Sequence, residues 1–121
     1  MNIFILEDNK HRQEYFAEKY KDHNLHIYDN ALDAIKFFMG SNIQWHLLSL
    51  DHDLGGRIFV NPTDENTGSF FVKMCYYKIK STKTLKKIII HSWNPFGAKV
   101  MIGLLHDINI PIYKKRCRIA G

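Results

Sequence analysis

The sequence predicts a doubly wound α/β fold, in which a parallel five-stranded sheet has the strand order 2-1-3-4-5. Short apolar runs alternate with helical patterns along the chain, which implies parallel strands joined by right-handed crossovers. The first, third and fourth runs are almost continuously apolar, which is typical of strands buried on both faces. The length of 121 residues suits a single domain over 1–121 with this strand order.

Each strand is predicted from a short run of apolar and β-branched residues. The predicted strands are 2–6, 24–28, 45–50, 86–92 and 108–113. The helices are predicted from apolar stripes at helical spacing and from their starting residues, which are Asn9, Asp29 or Asn30, and Pro95. The predicted helices are 10–21, about 31–39, about 69–80 and 95–107. We expect no helix after the fifth strand, because the chain ends soon after it.

Composition and charge narrow the class of protein. The net charge is +5, and basic clusters at 78–87 and 113–118 suit phosphate-bearing partners, although a solvated surface also explains the first cluster. Cys75 and Cys117 lack the spacing of a disulfide framework or a zinc finger, which predicts reduced thiols in a cytoplasmic protein. No signal peptide is recognisable, and no apolar stretch is long enough to span a membrane.

Polar side chains follow four of the predicted strands at the point where each strand ends. In a doubly wound sheet these carboxyl ends form one edge, where such folds bind their ligands. The polar residues at this edge are Glu7 and Asp8, then Asp51, His52 and Asp53, then His91, Ser92, Trp93 and Asn94, and finally Lys114, Lys115 and Arg116. The loop at 51–68 is longer than most strand-to-helix connections, which indicates function or mobility. The sequence therefore predicts a polar site at this edge.

These residues resemble the functional set of the receiver domains of response regulators. In that family an acidic pair holds Mg²⁺, an aspartate accepts a phosphoryl group, a hydroxyl group senses it and a lysine binds it. The matching residues here are Glu7, Asp8, Asp51, Ser92 and Lys114 or Lys115. The chain departs from the pattern in its expanded loop, in the lack of a proline after the lysines, and in His52, Asp53 and His91.

A closer resemblance is to the cyclic-phosphate-processing receiver family, a receiver-like branch found in bacterial and phage genomes. The string LDHDLGG at 50–56, the TG pair at 67–68 and the string IIIHSWNPFGAKVM at 88–101 carry this resemblance. It implies an activity on the cyclic phosphates of nucleotides or RNA ends.

Two chemistries fit the residues at this edge. In the first, Mg²⁺ or Mn²⁺ polarises the phosphate, and His52 and His91 act as general base and general acid. The expected oxygen ligands of that metal are Glu7, Asp8, Asp51 and Asp53. In the second, the two histidines join the carboxylates as ligands of a softer ion such as Zn²⁺ or Mn²⁺. The sequence does not choose between them.

The leading hypothesis is a phosphodiesterase-like enzyme that hydrolyses a cyclic phosphate, either of a nucleotide or of a 2′,3′-cyclic RNA end. Phosphate contacts are expected from Ser92, Asn94, Lys114 and Lys115, while Trp93 either stacks on a base or belongs to the core. Two alternatives stay open: a module that binds a cyclic nucleotide without cleaving it, and a phosphoacceptor domain that is modified on Asp51. The missing last helix predicts exposed apolar surface and a homodimer.

Overall fold

A computed structural model describes residues 1–116, and it confirms the predicted doubly wound fold. The strands are β1 (Asn2–Leu6), β2 (Asn24–Tyr28), β3 (Leu47–Leu50), β4 (Lys87–Ile90) and β5 (Ile112–Lys114). The helices are α1 (Lys10–Lys19), α2 (Ala31–Gly40), α3 (Gly68–Ser81) and α4 (Pro95–Leu104). All strands pair in parallel in the order β2-β1-β3-β4-β5, and within residues 1–116 no helix follows β5.

The helices begin at the edge of the sheet where the strands end, and a polar side chain caps each start. Asn9 accepts a hydrogen bond from the Arg12 backbone N–H, which confirms the cap expected for α1. Asn30, Thr67 and Asn94 cap α2, α3 and α4 in the same way. These caps fix the connections between strands and helices at the edge that carries the polar residues.

The sheet has one thickly covered face and one thinly covered face. Phe4, Leu48 and Ile90 belong to a large core that packs against α2, α3 and α4. The alternate residues, such as Ile5 and Leu47, form a smaller cluster under Phe16 of α1. Because strand residues alternate between faces, each position at the carboxyl ends is assigned to one side.

The fifth strand lies later in the chain than predicted. Residues 108–110 form a turn in which the Ile110 N–H bonds the Ile108 carbonyl, and Ile108 packs into the large core. The apolar pattern there reflects a buried turn, and the strand begins only after Pro111, which has no N–H to donate to a ladder. Lys114 is consequently the last strand residue, whereas the sequence placed it beyond the strand.

Three smaller findings complete the fold. Two helices are shorter than predicted, with α1 ending at Lys19 and α4 at Leu104. Cys75 is a buried free thiol whose pKa is raised by burial to about 12, as expected for a core residue, whereas Cys117 lies outside the described residues. No helix within the described part of the chain has the length and apolarity needed to cross a membrane.

Candidate functional site

A buried polar cluster lies at the carboxyl edge on the α1 side of the sheet. Glu7 Oε1 accepts hydrogen bonds from Arg12 Nε at 2.9 Å and His91 Nε2 at 3.1 Å, while Oε2 accepts the Asn9 N–H at 3.0 Å. The other imidazole nitrogen, His91 Nδ1, lies 2.8 Å from Ser49 Oγ. Since an ionised Glu7 can only accept, His91 Nε2 carries a proton and donates it to Glu7.

The register of the sheet explains why these residues meet. Ser49 on β3 is paired with Ile5 on β1 and Ile89 on β4. Glu7, Asp51 and His91 each come two positions later on the corresponding strand, so all of them project from the same face.

The pKa values of the two carboxyl groups in this cluster are shifted in opposite directions. Burial alone would raise the pKa of Glu7, but the hydrogen bonds from His91 and Arg12 outweigh it and lower the pKa to about 2. Asp51 Oδ1 accepts the His52 backbone N–H at 2.8 Å, but burial and the negative charge of Glu7 outweigh this bond and raise the pKa of Asp51 to about 8. The Arg12 guanidinium lies farther away, with Nη2 at 4.0 Å from Asp51 Oδ2. At neutral pH one carboxyl is therefore ionised and its neighbour largely protonated.

The donor set of this cluster fits a divalent cation of intermediate softness. One ligand atom each from Glu7, Asp51 and His91 lies within 4.8 Å of the other two. Two carboxylates with an imidazole suit Mn²⁺ or Zn²⁺ better than Mg²⁺, which prefers oxygen ligands.

Two carboxylates predicted as metal ligands are instead tied to the loop at 51–68. Asp8 Oδ2 accepts the Gly56 N–H at 2.6 Å. Asp53 accepts hydrogen bonds from the backbone N–H groups of Phe59 and Val60 at 2.7 and 3.0 Å. The structure thus uses both groups to anchor the loop, and it does not bring Asp53 to the Glu7 cluster.

His52 lies on the other side of the sheet from His91. Its ring is fully buried against α4, where a Cβ added to Gly97 would come within 2.4 Å of it. His52 Nδ1 lies 3.0 Å from Asp53 Oδ1, which also accepts from Asn94 Nδ2 at 3.0 Å. Burial opposes the ionisation of Asp53, but these two hydrogen bonds outweigh it and lower its pKa.

The residues predicted to contact phosphate have mixed surroundings. Ser92 Oγ accepts the Asn94 N–H at 3.0 Å, and Asn94 is buried, with Oδ1 capping α4 and Nδ2 bonded to the loop. Both side chains therefore shape the turn that begins α4. Lys114 and Lys115 are exposed, and Lys115 lies on the α1 side near His91.

A cavity of about 270 Å³ opens at this edge above Asp51. Its lining residues are Arg12, Asp51, Asp53, Arg57, Ile58, Phe59 and Trp93. Phe59 and Trp93 are 69 % and 43 % exposed, so Trp93 is a surface ring and not a core residue. Arg57 forms an exposed ion pair with Asp64 at 3.0 Å. The cavity thus combines two guanidinium groups, a largely protonated carboxyl and two aromatic rings.

Four residues of this region were not predicted: Ser49, Arg12, Arg57 and Phe59. Ser49 had a signal, because it is the one hydroxyl in the apolar run LLSL of β3. Arg12 had a weaker one, since it follows the cap Asn9 in the first turn of a helix that begins at the polar edge. Arg57 and Phe59 depend on the path of a loop, for which the sequence carries no periodic signal.

Comparison with known proteins gives a family and a fold. The model of the family described as cyclic-phosphate processing receiver domain matches residues 1–107. A comparison with curated proteins gives no significant match.

Solved structures of receiver domains are similar to this chain at low sequence identity. A signal receiver domain from Vibrio parahaemolyticus is 15 % identical with a TM-score of 0.64, covering 98 % of this chain and 79 % of its own. The response regulator TrrA from Thermotoga maritima, in complex with Mg(2+)-BeF, is 17 % identical with a TM-score of 0.62, covering 98 % and 89 %. A CheY-like receiver domain protein from Methanospirillum hungatei is 11 % identical with a TM-score of 0.61, covering 97 % and 82 %.

Proposed function

The chain belongs to the cyclic-phosphate processing receiver family, and from this premise we propose that it hydrolyses a cyclic phosphate bound at the carboxyl edge of the sheet. The observation that carries the proposal is the 270 Å³ cavity, which places Asp51 beside Arg12, Arg57 and two exposed aromatic rings. Guanidinium groups bind phosphate oxygens in a bidentate way, and aromatic rings stack on bases. A nucleoside cyclic phosphate has both features.

Asp51 is the group that we assign to the leaving oxygen. Its pKa of about 8 keeps the carboxyl largely protonated at neutral pH, as a general acid requires. Water attacks phosphorus, the endocyclic P–O bond breaks, and the leaving alkoxide takes the Asp51 proton. The proton released by the attacking water restores the carboxyl. Arg12 lies close enough to Asp51 to hold the phosphate during this step.

Glu7, Asp51 and His91 would hold a metal in a metal-dependent form of the same reaction. A bound Mn²⁺ or Zn²⁺ supplies a Lewis acid and a more acidic water. Asp51 would then be an ionised ligand, and the reaction would be lost on chelation. His52 does not line the cavity, so we assign it no contact with substrate in either form.

The test is incubation with cyclic mononucleotides and 2′,3′-cyclic-phosphate oligonucleotides, with EDTA or with Mn²⁺, followed by mass spectrometry. We expect a product heavier by one water, and a loss of more than about 10²-fold in Asp51→Asn. Asp22→Asn, an exposed carboxylate outside the cavity, is the matched control. If the protein retains the ligand intact, its function is binding and not hydrolysis. If no substrate is bound or cleaved, the proposal is overturned.

A phosphoacceptor domain is the second candidate, and the position of Asp51 favours it. Asp51 directly follows β3 and lines an open cavity, in a fold shared with response regulators. This candidate predicts covalent labelling of Asp51 by acetyl phosphate in the presence of a divalent cation. Labelling that persists in Asp51→Asn would exclude it.

Assembly and location stay predictions. Sedimentation velocity over a range of concentrations tests the homodimer that the sequence predicts. A cytoplasmic location, expected from the reduced thiols, is tested by fractionation of the native host.

A further inference from the structure

A second and larger cavity lies on the α1 side of the sheet, between α1 and β5. It has a volume of about 620 Å³, which is within the range of small-molecule sites. We call it the open groove; Tyr15, Lys19 and Tyr20 form one wall, and Lys115 and Arg116 form the other. The open groove shares no lining residue with the 270 Å³ cavity above Asp51. It exists because no helix within residues 1–116 follows β5 to cover this face.

We propose that the open groove binds a nucleoside phosphate, with the base against the tyrosines and the phosphates between the cationic walls. This site is additional to the cavity in which we place hydrolysis, and it does not depend on that reaction. The aromatic wall, the cations and the polar floor of the groove support this assignment.

The groove combines aromatic rings, which can contact a flat base, with cations, which attract negatively charged phosphate groups. Lys19 Nζ lies over both tyrosine rings, 5.8 Å from the centre of Tyr15 and 5.4 Å from that of Tyr20, so the ammonium group is held at the aromatic wall. Across the groove, Arg116 lies 5.5 Å from the Trp93 ring. Among the described residues no carboxylate forms an ion pair with Lys19, Lys115 or Arg116. Three cations without acidic partners at one groove make it a site for an anion.

The floor of the groove contains two buried polar side chains. Ser49 and His91 are only 1 % and 2 % exposed, and they line the groove beside Ile89. Ser49 Oγ is hydrogen-bonded to His91 Nδ1 at 2.8 Å, and because a hydroxyl oxygen has two lone pairs, at least one of them stays available to accept from a ligand. An exocyclic amino group of a base is such a donor, which selects adenine, cytosine or guanine over uracil.

A second copy of this chain fits the groove less well than a nucleotide does. An isologous dimer on this face would bring a second set of the same three cations into the interface. Like charges facing each other oppose association, whereas phosphate groups neutralise them.

Isothermal titration calorimetry with ATP as the probe tests the site. Adenosine and tripolyphosphate separate the contributions of base and phosphate, and pentaadenylate separates a free nucleotide from one within a chain. We expect ATP to bind more tightly than either half, and Lys19→Glu and Lys115→Glu each to weaken it by about tenfold or more. Lys36→Glu makes the same charge change on an exposed position of α2, and it should leave ATP binding within about twofold.

Variants of the other cavity separate this proposal from the proposed hydrolysis. Asp51→Asn should abolish turnover of a cyclic phosphate and leave ATP binding in the groove intact, and Arg57→Ala should also leave ATP binding intact. The proposal is overturned if ATP does not bind, if Lys36→Glu weakens it as much as Lys19→Glu, or if only Arg57→Ala weakens it. It is also overturned if sedimentation shows a dimer that Lys19→Glu disrupts.

Discussion

Two histidines at the ends of neighbouring strands have opposite surroundings. His91 follows β4 and is held between Glu7 and Ser49 on the thinly covered face, where it lines the open groove. His52 follows β3 by one residue more and lies under Gly97 on the face covered by three helices. One step along a strand moves a side chain to the other face, and this step separates a histidine in a polar cluster from one in the packed interior.

The two histidines show that the face on which a side chain lies at the carboxyl edge is harder to predict from the sequence than the edge itself. The edge itself follows from the strand pattern, whereas the side of the edge follows from the residue at which each strand ends. The carboxyl end of β3 at Leu50 was predicted correctly, whereas β4 was predicted to continue to Ser92 and ends at Ile90. The two histidines were therefore expected around one pocket, and the structure places them on two faces.

The largest expected effect concerns His91. In a confirmed turnover assay, His91→Ala should lower kcat by about 10–100-fold, since it removes a hydrogen bond to the ionised Glu7 beside Asp51, and a hydrogen bond to a charged group contributes about 1.5–3 kcal/mol. His52→Ala should retain most of the activity per folded molecule, because its ring does not reach the cavity. Active-site titration corrects for the folded fraction. Equal losses in both variants would contradict the division between the two histidines.

His52 should matter for stability where His91 matters for turnover. Removing the fully buried His52 ring should lower the free energy of unfolding by about 2–4 kcal/mol. Gly97→Ala alone should cost about 1–3 kcal/mol, because its Cβ would lie 2.4 Å from that ring. In His52→Ala the same glycine change should cost much less, since the obstructing ring is gone. Urea unfolding of the four proteins gives the coupling, and additive costs would show that the contact is unimportant.

A divalent cation should distinguish the two faces as well. At a concentration about 100-fold above its dissociation constant, Mn²⁺ should add about 2.7 kcal/mol to the free energy of unfolding. The shift should disappear in Asp51→Asn and in His91→Gln, and it should persist in Asp53→Asn, whose carboxylate is tied to the loop. Thermal unfolding with and without EDTA measures it. A shift that depends on Asp53 and not on His91 would place the cation elsewhere.

The pH dependence of stability sharpens the contrast between Glu7 and Asp51. The folded pKa of Asp51 is raised from 3.8 to about 8, so its contribution is complete below pH 3.8 and is lost as the pH rises towards 8. The folded pKa of Glu7 is lowered from 4.5 to about 2, so its contribution is lost as the pH falls from 4.5 to 2. Stability should therefore be highest near pH 4–5.

Asp51→Asn provides the control for this profile. It should remove the decline between pH 4 and 8 and add about 1–3 kcal/mol at pH 8, which is less than the full amount of about 1.4 kcal/mol for each pKa unit between 3.8 and about 8. Asp22→Asn, on the surface, should leave the profile unchanged. A wild-type stability that rises steadily from pH 5 to 8 would contradict the raised pKa of Asp51.

What the sequence predicts well depends on repetition along the chain. Strand order, the starting residues of three helices and the polar edge all follow from local sequence patterns, and the structure bears them out. The contacts of Arg57 and Phe59 arise from a loop that Asp8 and Asp53 anchor through backbone N–H groups. Backbone N–H donors do not depend on the type of side chain, so the sequence gives no signal for these contacts. The side of the cavity that Arg57 and Phe59 line was therefore not predictable.

The smallest expected effect tests how His91 is held. Ser49→Ala removes the hydrogen bond to His91 Nδ1 and leaves the bond from Nε2 to Glu7 in place. A neutral hydrogen bond contributes about 1 kcal/mol, so we expect kcat on a confirmed substrate to fall by about fivefold. Ser81→Ala, at an exposed position at the end of α3, is the matched control and should leave kcat unchanged. Ser49→Thr keeps a hydroxyl group at the same position and should recover part of the loss. If Ser49→Ala instead lowered kcat as far as His91→Ala does, Ser49 would act on the substrate itself, and the polar floor of the open groove would belong to the reaction.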